Sequence, residues 1–309
     1  MNQKAQFSFP VQFLILLGLV GTGMIVGSLL SLAIGANIFD VPMLRVPEAM
    51  NKPENAHISR ILNTGATFIA FMLPAIFYAK IIGEKPFSYF GFNLNIKGRQ
   101  IGLVVLITFA GMIFSGALGL LNQEIPLPES LLKKAKEMEQ AYKDVMLNMA
   151  YMRNVTDYIM AVIVMALAPA VFEEILFRGA VQQLFVQWTK NAWYGIIITS
   201  ILFSAIHFSY FGFLPRIALG VTLGLIFYLT NNLWLSILQH FLHNAFIVTQ
   251  LYLAQAKGKS IEKTMDEAMP LWWGLIGLVL LILLFKQLYQ FRQTPVPISS
   301  NEIPNDEHA

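Results

Sequence analysis

The sequence contains no cysteine and little charge, and each absence excludes a class of protein. Without cysteine among 309 residues, disulfides, thiol catalysis and thiolate metal sites are ruled out. Charged residues make up 13% of the chain, roughly half the share usual in a soluble domain. No cluster of lysine and arginine is interleaved with aromatic residues, so we expect no nucleic-acid partner.

Apolar residues are abundant instead, and they lie in long runs. The chain is 56% hydrophobic with a mean hydropathy of +0.60, and several runs reach the roughly 20 residues that a helix needs to cross a bilayer. The first run is longer than the apolar part of a signal peptide, which favours a membrane helix over a cleaved leader. The sequence therefore predicts an all-α membrane protein of about eight transmembrane helices, near residues 11–35, 58–82, 100–122, 157–186, 192–209, 213–230, 233–254 and 270–291.

The runs divide the chain into regions. We expect an N-terminal transmembrane region over 1–154, a helical core over 155–254, a loop and a last transmembrane helix over 255–293, and a disordered polar tail over 294–309. Within the first region, apolar or small side chains recur every three or four residues near 128–153, which predicts an amphipathic helix. It lies on the membrane or across the end of the bundle, or it forms a movable lid over a site below.

The loop between the second and third predicted spans indicates the orientation. It contains Lys80, Lys85, Lys97 and Arg99 but a single acid, Glu84. Cytoplasmic loops carry an excess of basic residues. We therefore expect a multi-pass protein of the cell membrane with both termini in the cytoplasm.

Three ionisable residues interrupt the apolar run "PAVFEEILFRGAV". Glu174 and Arg178 are four residues apart, the spacing of a helical ion pair. Glu173 projects about 100° away from Glu174 around the helix. The spacing predicts that Glu174 and Arg178 form a structural clamp and that Glu173 is free for chemistry. Alternatively, both acids only hold helices together.

Histidines follow in the next apolar runs. His207 comes one turn after Phe203, and His240 and Asn244 are four residues apart, with His243 near the same face. A single histidine in an apolar helix is more often a packing residue. Three of them in a core otherwise poor in polar groups indicate a site, although the spacing leaves open whether His240 or His243 is used.

These residue types suit the hydrolysis of a peptide bond. A glutamate and a histidine together can take a proton from water, and a second histidine and an amide can stabilise the oxyanion. Other protease designs are missing from the sequence: there is no H-E-x-x-H helix, no G-x-S-x-G turn, no cysteine nucleophile and no pair of intramembrane aspartates.

The order of the motifs resembles the CPBP (Abi) intramembrane proteases, which include the type II CAAX prenyl endopeptidases and bacteriocin-processing or self-immunity proteins. The motifs are E-E-x-x-x-R at Glu173, Glu174 and Arg178, F-x-x-x-H at Phe203 and His207, and H-x-x-x-N at His240 and Asn244. The resemblance covers about 155–250 and implies a conical or cavity-containing bundle. It also implies that Glu173 and His207 activate water, that His240 and Asn244 form the oxyanion hole, and that Arg178 supports the glutamates.

The resemblance favours hydrolysis without a metal or other cofactor. The alternative is a zinc ion held by Glu173, His207 and His240 with water in the open position. We expect membrane lipid and a membrane-bound peptide or protein substrate as partners. The rival functions are a non-catalytic membrane scaffold or bacteriocin-immunity protein and, with less support, a proton-coupled transporter, which predicts an internal repeat that the sequence does not display.

Overall fold

The computed structural model describes residues 7–262 and 269–292. Helix accounts for 82% of the structure, and the described residues contain no strand. The main helices are α1 (Phe9–Phe39), α2 (Pro53–Ile81), α3 (Gly98–Gln123), α4 (Glu129–Met149), α5 (Val155–Thr189), α6 (Ala192–Ala205), α7 (Phe213–Thr230), α8 (Leu233–Ala256) and α9 (Leu271–Tyr289). The polar tail predicted over 294–309 lies outside the described residues.

The prediction of an all-α membrane protein is confirmed, whereas the count of eight spans is not. Within the described residues six helices are long and apolar enough to cross a membrane, namely α1, α2, α3, α5, α7 and α9. The other two predicted spans fall short for different reasons. Helix α6 is apolar but has only 14 residues, and α8 has 24 residues that include His240, His243 and Asn244.

The predicted span over 192–209 extends too far. Helix α6 ends at Ala205, and the chain then turns through Phe208, which has a φ of 51°. This left-handed conformation is rare for a residue other than glycine, and it directs the chain out of the helix. His207 therefore lies in the turn that follows α6, although its backbone amide still bonds to the carbonyl of Ser204 at 3.3 Å.

Two helices contain wide π-helical turns. In α2 the turn Phe68–Met72 comes just before Pro74, and in α5 the turn Val162–Leu167 comes just before Pro169. Proline cannot donate a backbone hydrogen bond inside a helix, and the wider turns accommodate this loss. A second π-helical turn in α5, Phe177–Gln182, contains no proline and begins three residues after Glu174. Such turns are frequent at functional sites.

Helix α5 occupies the middle of the bundle. It contacts α2, α6, α7 and α8, and a cluster of buried side chains from these helices surrounds its central turns, including Phe177 and Phe203. Helices α1 and α9 lie at the periphery, where α1 packs on α2 and α9 packs on α3. The buried polar residues of α5 are therefore shielded from lipid by its neighbours.

Helix α4 lies across the end of the bundle. The guanidinium of Arg60 in α2 donates to the carbonyl oxygen of Met149 at 2.8 Å. The hydroxyl of Ser209, two residues after His207, donates to the carboxylate of Glu139 at 2.8 Å. These contacts agree with a helix packed across the bundle, and the movable lid stays a prediction.

Candidate active site

Helix α5 places two acids and a base in the core. The side chains of Glu174 and Arg178 are fully buried, and Glu173 is 8% exposed. Arg178 Nη1 donates to Glu174 Oε1 at 2.8 Å, and Arg178 Nη2 donates to the carbonyl oxygen of Gly220 at 3.1 Å. The ion pair predicted from the four-residue spacing is thus present, and it also ties α5 to α7.

The carboxylate of Glu174 has a second partner that sequence spacing did not reveal. His240 Nδ1 lies 2.9 Å from Glu174 Oε1. Against a carboxylate, Nδ1 carries the proton and donates, so Glu174 accepts from both Arg178 and His240. The bond joins residues 66 positions apart, and helical periodicity carries no information at that separation.

The carboxylate of Glu173 points elsewhere. Its Oε2 lies 3.9 Å from His240 Nε2, which is too long for a hydrogen bond. Within the described residues, the carboxylate of Glu173 accepts no hydrogen bond. The two neighbouring glutamates therefore differ sharply, because one carboxylate is held by two donors and the other retains its accepting capacity beside an imidazole.

His207 and His240 meet at the ring of Phe203. This ring lies edge-on to both imidazoles, with centroid distances of 5.0 Å to His207 and 5.8 Å to His240. His207 Nδ1 lies 2.7 Å from the carbonyl oxygen of Phe203. A carbonyl only accepts, so Nδ1 carries the proton and Nε2 of a neutral His207 is left as an acceptor.

The structure distinguishes between the two histidines of α8. His240 contacts both glutamates, whereas among the described residues His243 forms no hydrogen bond or ion pair with either. Asn244 lies one turn after His240 and is half-buried. Its amide has no hydrogen-bond partner within residues 7–262 and 269–292, so both of its N–H donors are available.

The described residues do not form an arranged set of ligands for the zinc alternative. Among the described residues, no group of three or more His, Asp or Glu side chains is arranged to hold a metal ion. Of the three candidate ligands, Glu173 and His240 lie near each other, while His207 Nδ1 is already bonded to the backbone. Hydrolysis without a metal stays the prediction, with zinc as the alternative, and metal analysis tests between them.

A second polar contact between α5 and α7 was also missed from the sequence. Gln182 Nε2 donates to the carbonyl oxygen of Gly224 at 3.0 Å, one turn beyond the bond from Arg178 to Gly220. Arg178 and Gln182 are four residues apart, and so are the two glycines. The two hydrogen bonds therefore connect α5 and α7 at successive turns. The signal in the sequence was the matched spacing of polar residues on one helix and glycines on another.

Comparison with known proteins identifies this part of the chain. Residues 155–246 match the family model described as Type II CAAX prenyl endopeptidase Rce1-like. This match supports membership of the chain in the CPBP (CAAX protease) family. The resemblance read from the three motifs is confirmed, and the matched segment runs from the start of α5 into α8. No curated protein and no solved structure matches the chain.

The CPBP family is a protease family, and membership supports peptidase activity in general. The matched segment contains the ion pair of Glu174 and Arg178 together with Glu173, His207 and His240. Multiple apolar helices and membership in this family make the chain a multi-pass membrane protein.

Proposed function

We propose that the protein is an intramembrane endopeptidase that hydrolyses a peptide bond in a membrane-associated peptide or protein. The observation that carries this proposal is the contrast between the neighbouring acids. Glu174 is bonded to Arg178 and His240, whereas Glu173 faces His240 Nε2 at 3.9 Å without a hydrogen bond. Such a carboxylate can bind water and remove its proton.

In the proposed reaction Glu173 is the general base. It takes a proton from a water molecule that His207 orients through its accepting Nε2, and the resulting hydroxide attacks the scissile carbonyl. The proton on Glu173 then passes to the nitrogen of the leaving amine, which restores the carboxylate. General acid–base catalysis of this kind typically contributes about 10²–10⁴-fold.

His240 and Asn244 are proposed to stabilise the oxyanion. Asn244 donates from its amide, which has no partner among the described residues. The Nδ1–H of His240 continues to donate to Glu174. Donation to the oxyanion therefore comes from Nε2, which requires the doubly protonated imidazolium. Glu174, supported by Arg178, then acts as a positioning residue that orients the ring and balances its charge.

The distribution of charge supports a cytoplasmic location of both termini. Helices α1 and α3 begin at the end of the bundle where α2 and α9 end, and this end carries Lys97, Arg99, Lys286 and Arg292. Its connections at 82–97, 190–191 and 231–232 contain one acid, Glu84. Such an excess of basic residues is typical of the cytoplasmic side.

The test compares wild type with Glu173→Gln in proteoliposomes, with released peptides scored by mass spectrometry. The family description names CAAX prenyl endopeptidases, so a peptide that ends in a C-A-A-X sequence with a prenylated cysteine is the first substrate and its unprenylated form the second. We expect Glu173→Gln to lower the rate by about 10²–10⁴-fold. Glu129→Gln, at an exposed acid of α4, is the matched control and should cleave at the wild-type rate.

Release of the same fragments by Glu173→Gln at the wild-type rate would contradict the proposal and favour a non-catalytic scaffold. A chelator arm addresses the zinc alternative, with bound metal measured by elemental analysis. We expect full activity in protein stripped of zinc. Loss of activity on stripping, with recovery on adding zinc, would instead favour the zinc alternative.

A further inference from the structure

A groove lies at the basic end of the bundle, away from the glutamates. It is formed by α6, α7 and α9 and has a volume of about 440 Å³. Its walls are apolar, with Ile196 of α6, Leu225 and Leu229 of α7 and Phe285 of α9. Because α9 is a peripheral helix, the groove is open to the surrounding lipid.

Aromatic residues with polar tips line the same groove. Trp193, Tyr228 and Tyr289 contribute to its lining, and the first and last of these are 58% and 55% exposed. Tryptophan and tyrosine are enriched where a membrane protein meets the headgroup region. The groove therefore joins the acyl-chain region to the headgroup region.

Basic residues surround the headgroup end of the groove. Arg292 donates to the hydroxyl of Tyr228 at 2.9 Å and to that of Tyr289 at 3.1 Å, which holds its guanidinium over the groove. Lys286, in the last turn of α9 and six residues before Arg292, is exposed and also lines the groove. In the part of the chain that the structure describes, neither cation forms an ion pair with an acid.

Two further cations lie beside this position. Lys97 Nζ lies 5.7 Å and Arg99 Cζ lies 5.5 Å from the centroid of the Phe291 ring. Phe291 is the residue before Arg292 in the sequence. Four basic side chains, from the last turn of α9, the residues just after it and the start of α3, thus lie where the groove reaches the headgroup region, and their charge favours an anionic ligand.

We infer that this groove binds an anionic phospholipid, with one acyl chain against the apolar walls and the phosphate at Arg292 and Lys286. A guanidinium suits this role, because its N–H groups can form paired bonds to phosphate oxygens. Arg292 has five N–H groups, so two can stay bonded to the tyrosine hydroxyls while others bind the phosphate. A lysine or arginine near the membrane surface typically strengthens binding to anionic lipid by about fivefold. The proposal is independent of peptide hydrolysis.

The experiment uses the full chain in detergent, titrated with phosphatidylglycerol or phosphatidylcholine and followed by native mass spectrometry. We expect phosphatidylglycerol to bind at least about fivefold more tightly. The double variant Arg292→Gln and Lys286→Gln should abolish this preference. Leu225→Trp should fill the groove and weaken lipid binding while every charge is retained. The matched control, Lys80→Gln and Lys85→Gln, removes two cations at the same end but outside the groove, and the preference should persist.

Three outcomes would overturn the inference. Equal affinity for the two lipids would show that the cations do not select the headgroup. An equal loss in the control double variant would indicate attraction to the basic end as a whole rather than a site. Displacement of phosphatidylglycerol by excess inorganic phosphate would show that the acyl chain adds nothing and that the cations bind a soluble anion.

Discussion

Helices α5 and α9 are almost equally apolar, yet one lies at the centre of the bundle and the other at its edge. Their most apolar windows have mean hydropathies of 2.2 and 2.0, but 44% of the α5 window is buried compared with 22% of the α9 window. Helix α5 carries Glu173, Glu174 and Arg178 in its middle, whereas the charged residue of α9, Lys286, lies in its last turn. High hydropathy thus places both helices in the membrane, and the ionisable residues in the middle of α5 place that helix in the interior of the bundle.

The two helices are also held by different contacts. Arg178 and Glu174 connect α5 to α7 and α8 through hydrogen bonds, which fixes its rotation about its own axis. Peripheral helices depend on close packing instead: a Cβ added to Gly277 in α9 would lie 2.7 Å from a backbone atom of α3. Polar contacts at depth are expensive to leave unmade, so replacements in α5 should cost far more than replacements in α9.

Removal of one partner of the buried ion pair should give the largest loss of stability. Glu174→Leu leaves the buried Arg178 without its ion-pair partner, and such a loss typically costs about 3–5 kcal/mol of unfolding free energy. Lys286→Leu in α9 should change it by less than about 0.5 kcal/mol, as is usual for an exposed side chain. Chemical denaturation in mixed micelles, followed by tryptophan fluorescence, measures both.

The double variant Glu174→Leu and Arg178→Leu separates charge from packing. Apolar replacement of a whole buried pair is often neutral or stabilising, so we expect it to recover much of the loss. If the single variant Glu174→Leu unfolds like wild type, the buried pair does not hold α5 in place. The comparison with α9 would then lose its basis.

Asn244→Ala should affect turnover rather than folding. Loss of one oxyanion donor typically costs about 10²–10³-fold in kcat, and no hydrogen bond within the described residues is broken by the change. Asn37→Ala in peripheral α1 is the matched control, because the amide of Asn37 only donates to the carbonyl oxygen of Ala33. A wild-type kcat for Asn244→Ala in the peptide-release assay would remove Asn244 from the proposed oxyanion hole.

The sequence was sufficient for contacts within a helix. Apolar runs located the helices, and four-residue spacing identified the pair of Glu174 and Arg178, because helical geometry relates near neighbours directly. It could not choose His240 over His243, since that choice depends on how α8 is rotated relative to α5. The rotation is fixed by a bond to Glu174 from 66 positions away.

Local irregularities also escaped the sequence. The end of α6 at Ala205 depends on the left-handed Phe208, and an apolar aromatic residue gives no signal for that conformation. Phe177–Gln182 forms a π-helical turn without a proline. Both features lie beside candidate site residues, where surrounding packing determines the local backbone more than intrinsic preference does.

Close packing of α7 on α6 provides the next contrast. A Cβ on Gly220 would lie 2.8 Å from the Cβ of Ser200, whereas nothing lies within 4 Å of a Cβ on Gly21 in α1. Gly220→Ala should therefore cost about 1–3 kcal/mol and weaken the bond between its carbonyl and Arg178. Gly21→Ala should be neutral or slightly stabilising, because alanine favours helix over glycine. Equal unfolding midpoints for the two variants would contradict this packing account.

The smallest change in stability is expected at α4. Its hydrogen bond to Ser209, in the turn that contains His207, tests whether α4 is a rigid support (a strut) for that turn. Glu139→Ala removes the acceptor of the Ser209 hydroxyl, and the loss of one such bond typically costs about 0.5–1.5 kcal/mol. Glu139→Gln retains an accepting oxygen and should recover most of that loss. If α4 is a strut, Glu139→Ala lowers both stability and the cleavage rate, because the turn that carries His207 loosens. A faster cleavage rate for Glu139→Ala would instead identify α4 as a lid that this bond keeps closed.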